Sequence, residues 1–257
     1  MKTVALFCGD IELPIIETRY ISDIPSSGTP ILILASTQSI GVDESILYAK
    51  LTTQEAARAM AYRRPVQRSA YILNHALLRM VLSRKLNISE KEVPIIQGSN
   101  GKPILDYPLP IHFNISDSDH QILIAFSTQS PIGADIEKIS PETDFHAISG
   151  KFFSMAECKS IIEKGQDQFY RYWTRKEAAL KACGLGITEY LHRIQVLNGE
   201  NPISPNDKGL HKAFNTDYEV LSMKYKSFFM AFSSPKPVKS PEIYFLHNLI
   251  LTDNKDI

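Results

Sequence analysis

Cysteine is scarce in this 257-residue sequence: Cys8, Cys158 and Cys183 are the only three, and no C-x-x-C pair occurs. An odd number at such spacings argues against a disulfide framework or a zinc site. Reduced thiols, and hence a cytoplasmic protein, are the simplest reading. Long apolar runs are missing as well. The longest clean ones, residues 3–8 and 31–35, fall far short of the ~18 residues that span a bilayer, so no membrane association is expected. Asp10 and Glu12 cut the apolar start short, which makes it a first strand rather than a secretory leader. Charge of one sign is not in excess either, because Lys+Arg 28 balances Asp+Glu 28. Such a chain has no global field for nucleic acid. No Ser-His-Asp or Cys-His arrangement stands out, so no protein nucleophile is expected. What remains is an ordinary globular composition, 44% hydrophobic and 22% charged, long enough for one large domain or two small ones.

Two short segments carry the chemistry. The first is Gly133-Ala134-Asp135-Ile136-Glu137. As a strand it puts Asp135 and Glu137 on one face, about 7 Å apart. Their repulsion is on the order of 2 kcal/mol at an effective dielectric near 20. A hard divalent cation with oxygen ligands relieves it, and so does solvation on an exposed edge. The second is Trp173-Thr174-Arg175-Lys176-Glu177-Ala178-Ala179-Leu180-Lys181-Ala182-Cys183-Gly184. The pattern predicts a helix over 169–183, capped by Asp167 and stopped by Gly184. Phe169, Tyr172, Leu180 and Cys183 form its apolar stripe. Trp173, Glu177 and Lys181 form a second stripe, each four residues apart. Glu177 and Lys181 then make either a surface ion pair or a third carboxylate with a lysine beside it.

Local charge departs from the neutral whole. Residues 56–89 hold no acid but seven cations: Arg58, Arg63, Arg64, Arg68, Arg79, Arg84 and Lys85. A capping box at Thr52–Glu55 predicts a helix to about Arg64, and Pro65 opens a second, long one to about Lys85. This is either a basic helix face or an anion pocket, for which Arg is the preferred residue. Asn100-Gly101 between apolar runs predicts a hairpin, with Pro103 on an edge strand. Ser154 and Glu157 form another capping box. Strands are expected over 192–197, 218–225 and 227–233, with a peripheral tail after Ser233.

The order G-x-D-I-E, then about thirty-five residues on W-T-x-K-E-A-x-x-K-x-x-G, resembles the 4′-phosphopantetheinyl transferase superfamily, of the surfactin-synthetase-activating type. F-F-x-x-x-E at residues 152–157, G-K-P at 101–103 and F-N-I-S-D-S at 113–118 extend the resemblance over roughly residues 58–233. It implies an α+β fold of two similar α/β halves with pseudo-twofold symmetry, each a long helix on a small, mostly antiparallel sheet. Residues 1–127 would supply the coenzyme A contacts and residues 128–257 the metal and catalytic motifs, with residues 128–131 as the hinge.

The activity implied is transfer of the 4′-phosphopantetheine arm from coenzyme A to a serine of an acyl or peptidyl carrier protein. Adenosine 3′,5′-bisphosphate leaves. Asp135, Glu137 and Glu177 would hold Mg²⁺. Glu177, Lys181 and Glu157 would be catalytic, with Glu177, a metal-bound hydroxide or Glu157 as base. Arg63, Arg64, Arg68, Ser69, Lys102, Pro103, Ser116, Lys176 and Lys181 would contact coenzyme A. Both motif segments lie on one chain, so a monomer completes the site. Asp117 stands where the family has a histidine for the 3′-phosphate, and an aspartate repels that group. His120 is a substitute, or the donor lacks that phosphate. The alternatives are a non-catalytic homologue that binds carrier protein or coenzyme A, and a Mg²⁺ phosphohydrolase.

Overall fold

The computed structural model describes residues 4–25, 28–185, 187–237 and 239–251. Twelve strands are seen among them: β1 (Ala5–Asp10), β2 (Ile15–Thr18), β3 (Ile31–Ser36), β4 (Ile95–Gln97), β5 (Pro103–Leu105), β6 (His112–Ser118), β7 (Gln121–Ser127), β8 (Gly133–Lys138), β9 (Gly199–Pro202), β10 (Tyr218–Tyr225), β11 (Phe228–Pro235) and β12 (Glu242–Leu246). The helices are α1 (Glu44–Tyr48), α2 (Thr53–Ala61), α3 (Pro65–Leu86), α4 (Phe145–Phe152), α5 (Met155–Lys164), α6 (Gln166–Cys183), α7 (Ile187–Tyr190) and α8 (Lys208–Ala213). Both capping boxes form, at Thr52–Glu55 and at Ser154–Glu157, and Pro65 opens α3. The helix of the second motif starts from Gly165, so Asp167 sits in its first turn and pairs with Lys224 instead of capping. Among the described residues no helix is long and apolar enough to cross a membrane.

The mixed α+β architecture has two five-stranded sheets, ordered β8-β11-β10-β1-β9 and β2-β12-β3-β7-β6, and a small β4-β5 ribbon. Strand alternation explains the layers. On β3 and β7, Ile31, Ile33, Ile122, Ile124 and Phe126 pack under α3, while Leu32, Leu34, Leu123 and Ala125 face the other sheet. They meet Ala134, Ile136, Phe228, Met230 and Phe232 there. Phe229 and Val220 turn the other way, into a core shared with Tyr172, Ala179 and Leu180 of α6. The order is therefore α3, sheet, sheet, α6. Each fully buried Leu, Ile or Phe contributes about 1.5–3 kcal/mol.

The topology departs from the expected pattern in four respects. The chain ends cross over: β1 pairs with β10 and β9, while β12 lies between β2 and β3. Neither sheet is built from one side of the 127/128 boundary, and the segment after Ser233 holds a central strand rather than a peripheral tail. Two of the four pairings in the β12-containing sheet are parallel, because β12 runs alongside both of its neighbours. Residues 192–197 are not a strand. They begin with a helical turn at Leu191–Arg193, and the carbonyls of Ile194 and Val196 point at buried cations instead of a neighbouring strand.

Two local devices fix β8. Its inner edge faces β6, and side chains of β6 take the place of a backbone ladder. Asn114 Oδ1 accepts from Ala134 N at 2.8 Å, Ser116 Oγ from Ile136 N at 3.5 Å and Ser118 Oγ from Lys138 N at 3.1 Å. These three alternate residues share one side of β6 and join the two sheets along a seam. The other device is Gly133. A β-carbon there would lie 2.1 Å from the Ala178 carbonyl oxygen and 2.3 Å from the Ala182 nitrogen. Only glycine lets the α6 backbone rest on β8. Replacing Gly133 by Ala overpacks this contact and is expected to cost about 3 kcal/mol, read as a lower midpoint in urea unfolding. An unchanged midpoint would show that the helix yields freely.

Candidate active site

The close approach at Gly133 brings the last two turns of α6 over Asp135. Lys181 Nζ donates to Asp135 Oδ1 at 2.6 Å and to Ser116 Oγ at 3.2 Å, and pairs with Glu177 Oε2 at 3.4 Å. Ser116 Oγ donates to Asp135 Oδ1 at 2.7 Å, and Ser118 Oγ donates to Glu137 Oε2 at 2.9 Å. Asp135 is buried, and its Oδ2 has no hydrogen-bond partner among the described residues. Asp135, Glu137, Glu177, Lys181 and Ser116 are thus brought to one place at the seam.

Their electrostatics reflect crowding. Burial, and then the neighbouring Asp135, raise Glu177 to about 8. The same two causes raise Glu137 to about 7, against the opposing pull of Ser118 and Lys181. Burial works against the charge of Lys181, but Asp135 and Glu177 outweigh it and hold the ammonium above the usual lysine value. The crowding of carboxyl groups and the Asp135 oxygen without a hydrogen-bond partner among the described residues suit a hard cation with oxygen ligands. Among the described residues, however, no three acidic, cysteine or histidine side chains surround one point as ready-made ligands. Lys181 stands among them instead.

Other expected site residues lie elsewhere. Lys176 is fully buried, and its Nζ donates to the carbonyls of Phe152, Leu191 and Ile194 at 2.6–3.1 Å. It also pairs with Glu157 Oε2 at 3.0 Å. Glu157 is equally buried; its Oε2 closes the cap on Ser154 N and its Oε1 accepts from Val196 N. With every polar atom engaged in this way, Lys176 and Glu157 hold the fold together in this structure and do not join Asp135 and Lys181. Lys102 is engaged likewise: its Nζ donates to the carbonyls of Lys181 and Ile132 and so ties down the end of α6. Pro103 opens β5 on the ribbon, opposite Gln97.

Arg63 and Arg64 are exposed just before α3, and Arg68 is half-buried one turn in. Ser69 donates to Glu44, an acid beside this basic segment. Asp117 is open to solvent on one side and accepts from Asn74 Nδ2 at 3.5 Å. His120 bonds Thr37 through Nδ1 at 3.1 Å. Sequence reasoning missed Arg175, whose buried guanidinium reaches Ser222, Val196 O, Asn198 and Asp10. An arginine between Thr174 and Lys176 in a helical pattern gave no signal for that. Gly133 and the alternation Asn114, Ser116, Ser118 were legible as residues but not as the devices they are.

Two outcomes are expected. Lys176→Met leaves the Glu157 carboxylate buried without its cation, which costs about 3–5 kcal/mol in denaturant unfolding. Adding Glu157→Gln restores part of the loss; an additive double variant would contradict the pairing. The second concerns pH. Glu137 and Glu177 both titrate above their unfolded value of 4.5. The fold therefore holds extra protons, and their stabilisation is full below about pH 4.5 and declines as pH rises through about 7 and 8. Melting temperature of the cation-free protein should fall over that window by an amount equivalent to about 1.4 kcal/mol per pH unit per extra proton, and Glu177→Gln should flatten the slope. Parallel slopes would contradict the raised values.

Residues 131–232 match the family model described as the 4′-phosphopantetheinyl transferase superfamily. The chain is 33% identical over 160 residues to a putative 4′-phosphopantetheinyl transferase of Synechocystis, covering 60% of this chain and 64% of that protein. It is 34% identical over 157 residues to the 4′-phosphopantetheinyl transferase HetI of Nostoc, covering 58% and 66%. Against the 4′-phosphopantetheinyl transferase AcpT of Escherichia coli K12 it is 33% identical over 150 residues, covering 54% and 72%. The chain spans just under two thirds of the length of the first two relatives. Identity with AcpT over most of that protein's length, together with the family match across β8 and α6, shows that this chain belongs to the 4′-phosphopantetheinyl transferase superfamily.

Proposed function

We propose that the protein transfers the 4′-phosphopantetheine arm of coenzyme A to a serine hydroxyl of an apo acyl or peptidyl carrier protein. The observation that carries this reading is the pairing of both Asp135 and Glu177 with Lys181 at the seam, with Glu137 next along the same face of β8 and one Asp135 oxygen without a hydrogen-bond partner among the described residues. The serine oxygen bonds to the phosphorus that carries pantetheine. The bond from that phosphorus to the bridging oxygen breaks, and adenosine 3′,5′-bisphosphate leaves. Such transfers need positioning and charge stabilisation more than covalent help from the protein.

Asp135, Glu137 and Glu177 would hold Mg²⁺, which supplies neutralisation of the diphosphate charge when bound. Lys181 offers a flexible point charge to the phosphates. Glu177, which lies beside Lys181, is the candidate to accept the serine proton. Arg63, Arg64 and Arg68 supply bidentate donors for the donor's remaining phosphates. The reading is of a monomeric cytoplasmic enzyme built as two halves, residues 1–127 and 128–257 apart from the exchanged end strands, related by a pseudo-twofold axis. Its support is the shared order of two antiparallel pairings and then a parallel one, in β8-β11-β10-β1 and in β6-β7-β3-β12.

A second reading, a homologue that binds coenzyme A or carrier protein without catalysis, is favoured by Asp117 alone, because a carboxylate there opposes a phosphate. Intact-mass measurement of apo carrier proteins with Mg²⁺ and either coenzyme A or its 3′-dephospho form separates the two. The transferase reading expects the mass gain of one phosphopantetheine arm, lost in Asp135→Ala and Glu177→Ala variants that still fold. Binding of coenzyme A with no mass gain over a carrier panel would favour the second reading.

A further inference from the structure

The ammonium of Lys181 cannot serve a donor phosphate and its present partners together. It has three hydrogens, and Asp135 Oδ1, Ser116 Oγ and Glu177 Oε2 lie 2.6, 3.2 and 3.4 Å from its nitrogen. Two carboxylates, Asp135 and Glu177, hold this one cation, and Glu137 lies next along the strand with Ser118 as its partner. Asp135 is only 1% exposed, and among the described residues its Oδ2 receives no hydrogen bond from a cation or an amide. A bare buried carboxylate oxygen is costly, so the arrangement is incomplete as it stands. Lysine is suited to leaving it, because its charge rides on a flexible four-carbon stem and its side chain keeps some exposure to solvent, 16%. The contrast with Lys176 is direct. Lys176 is held by three carbonyls and Glu157 with no exposure at all, whereas Lys181 is held by groups that a divalent cation also binds.

We infer that Lys181 is an exchangeable counter-ion: it occupies the cation's place against Asp135 and Glu177 in the cation-free protein, and cation binding expels its ammonium toward solvent, where it meets the donor phosphate. The inference rests on the reading of the three acids as a divalent-cation site. It adds an order and a coupling to that reading. The cation comes first, and its arrival presents the lysine to the diphosphate, so each ligand raises the affinity for the other. Ser116 takes part as a positioning residue, since its hydroxyl bonds both Asp135 and Lys181 and keeps the carboxylate in place when the ammonium departs.

The test uses the full chain, Mn²⁺ as the probe and residue-resolved amine acylation read by mass spectrometry. Without cation, Lys181 should acylate slowly; saturating Mn²⁺ should speed it several-fold while exposed Lys91 stays constant. No substitution is involved, so folding of a variant does not enter. In parallel, calorimetry of Lys181→Met should show Mn²⁺ binding about tenfold tighter than in the native chain, because the internal competitor is gone. If Mn²⁺ binds the native chain and Lys181 acylation is unchanged or slower, the lysine stays put and the inference is overturned. If Mn²⁺ binds neither the native chain nor Lys181→Met, the cation reading itself falls and takes the inference with it.

Discussion

A helix backbone lying directly on a strand backbone is the constraint on which this molecule depends. At Gly133 the α6 main chain comes so close to β8 that even a methyl group would overlap the Ala178 carbonyl oxygen and the Ala182 nitrogen. Larger residues elsewhere could fill the same core, but none would let Glu177 and Lys181 reach down to Asp135. The small residues Ala178 and Ala182 complete the fit from the helix side. Packing and chemistry are therefore one arrangement here: the contact that excludes a side chain also brings Glu177 and Lys181 onto buried Asp135, with Glu137 beside them.

The strand beneath the helix needs its own support, because β8 is the edge of its sheet on the side that faces β6. A bare edge is costly when buried and invites wrong pairing when exposed. Asn114, Ser116 and Ser118 answer both difficulties by accepting the free β8 amides, and two of them also donate to Asp135 and Glu137. The seam thereby fixes the acids by their carboxylates as well as by their backbone. The exchange of β1 and β12 between the sheets ties the same seam from the outside. Arg175 adds a further tie, spanning α6, β1, β10 and the 196–198 loop.

Much of the site was legible because two simple periodicities carried it. Alternation placed Asp135 and Glu137 together on a strand, and four-residue spacing placed Glu177 and Lys181 together on a helix. Caps and proline marked the starts of α2, α3 and α5 correctly. The rest depended on long-range facts that local pattern does not encode. Nothing around Glu242–Leu246 says that it enters a sheet more than two hundred residues away in sequence. Lys176 and Lys181 look alike in sequence, yet one turns into the core and the other toward the acids, since five residues of helix turn the chain through about 140°. Glu157 read as a cap and is one, but the same carboxylate also neutralises Lys176. Lys102 sits where a phosphate contact was expected and instead holds the last turn of α6. Buried cations bonded to carbonyls carry no local signature that separates them from cations awaiting a ligand.

The central claim is that this crowding is resolved by a divalent cation among Asp135, Glu137 and Glu177. Anomalous diffraction from crystals grown with Mn²⁺ and coenzyme A tests it most directly. The account requires a metal peak between those three carboxylates, with Lys181 turned away from Asp135. A fully occupied donor with no peak there, or with the peak bound by other residues, would contradict it.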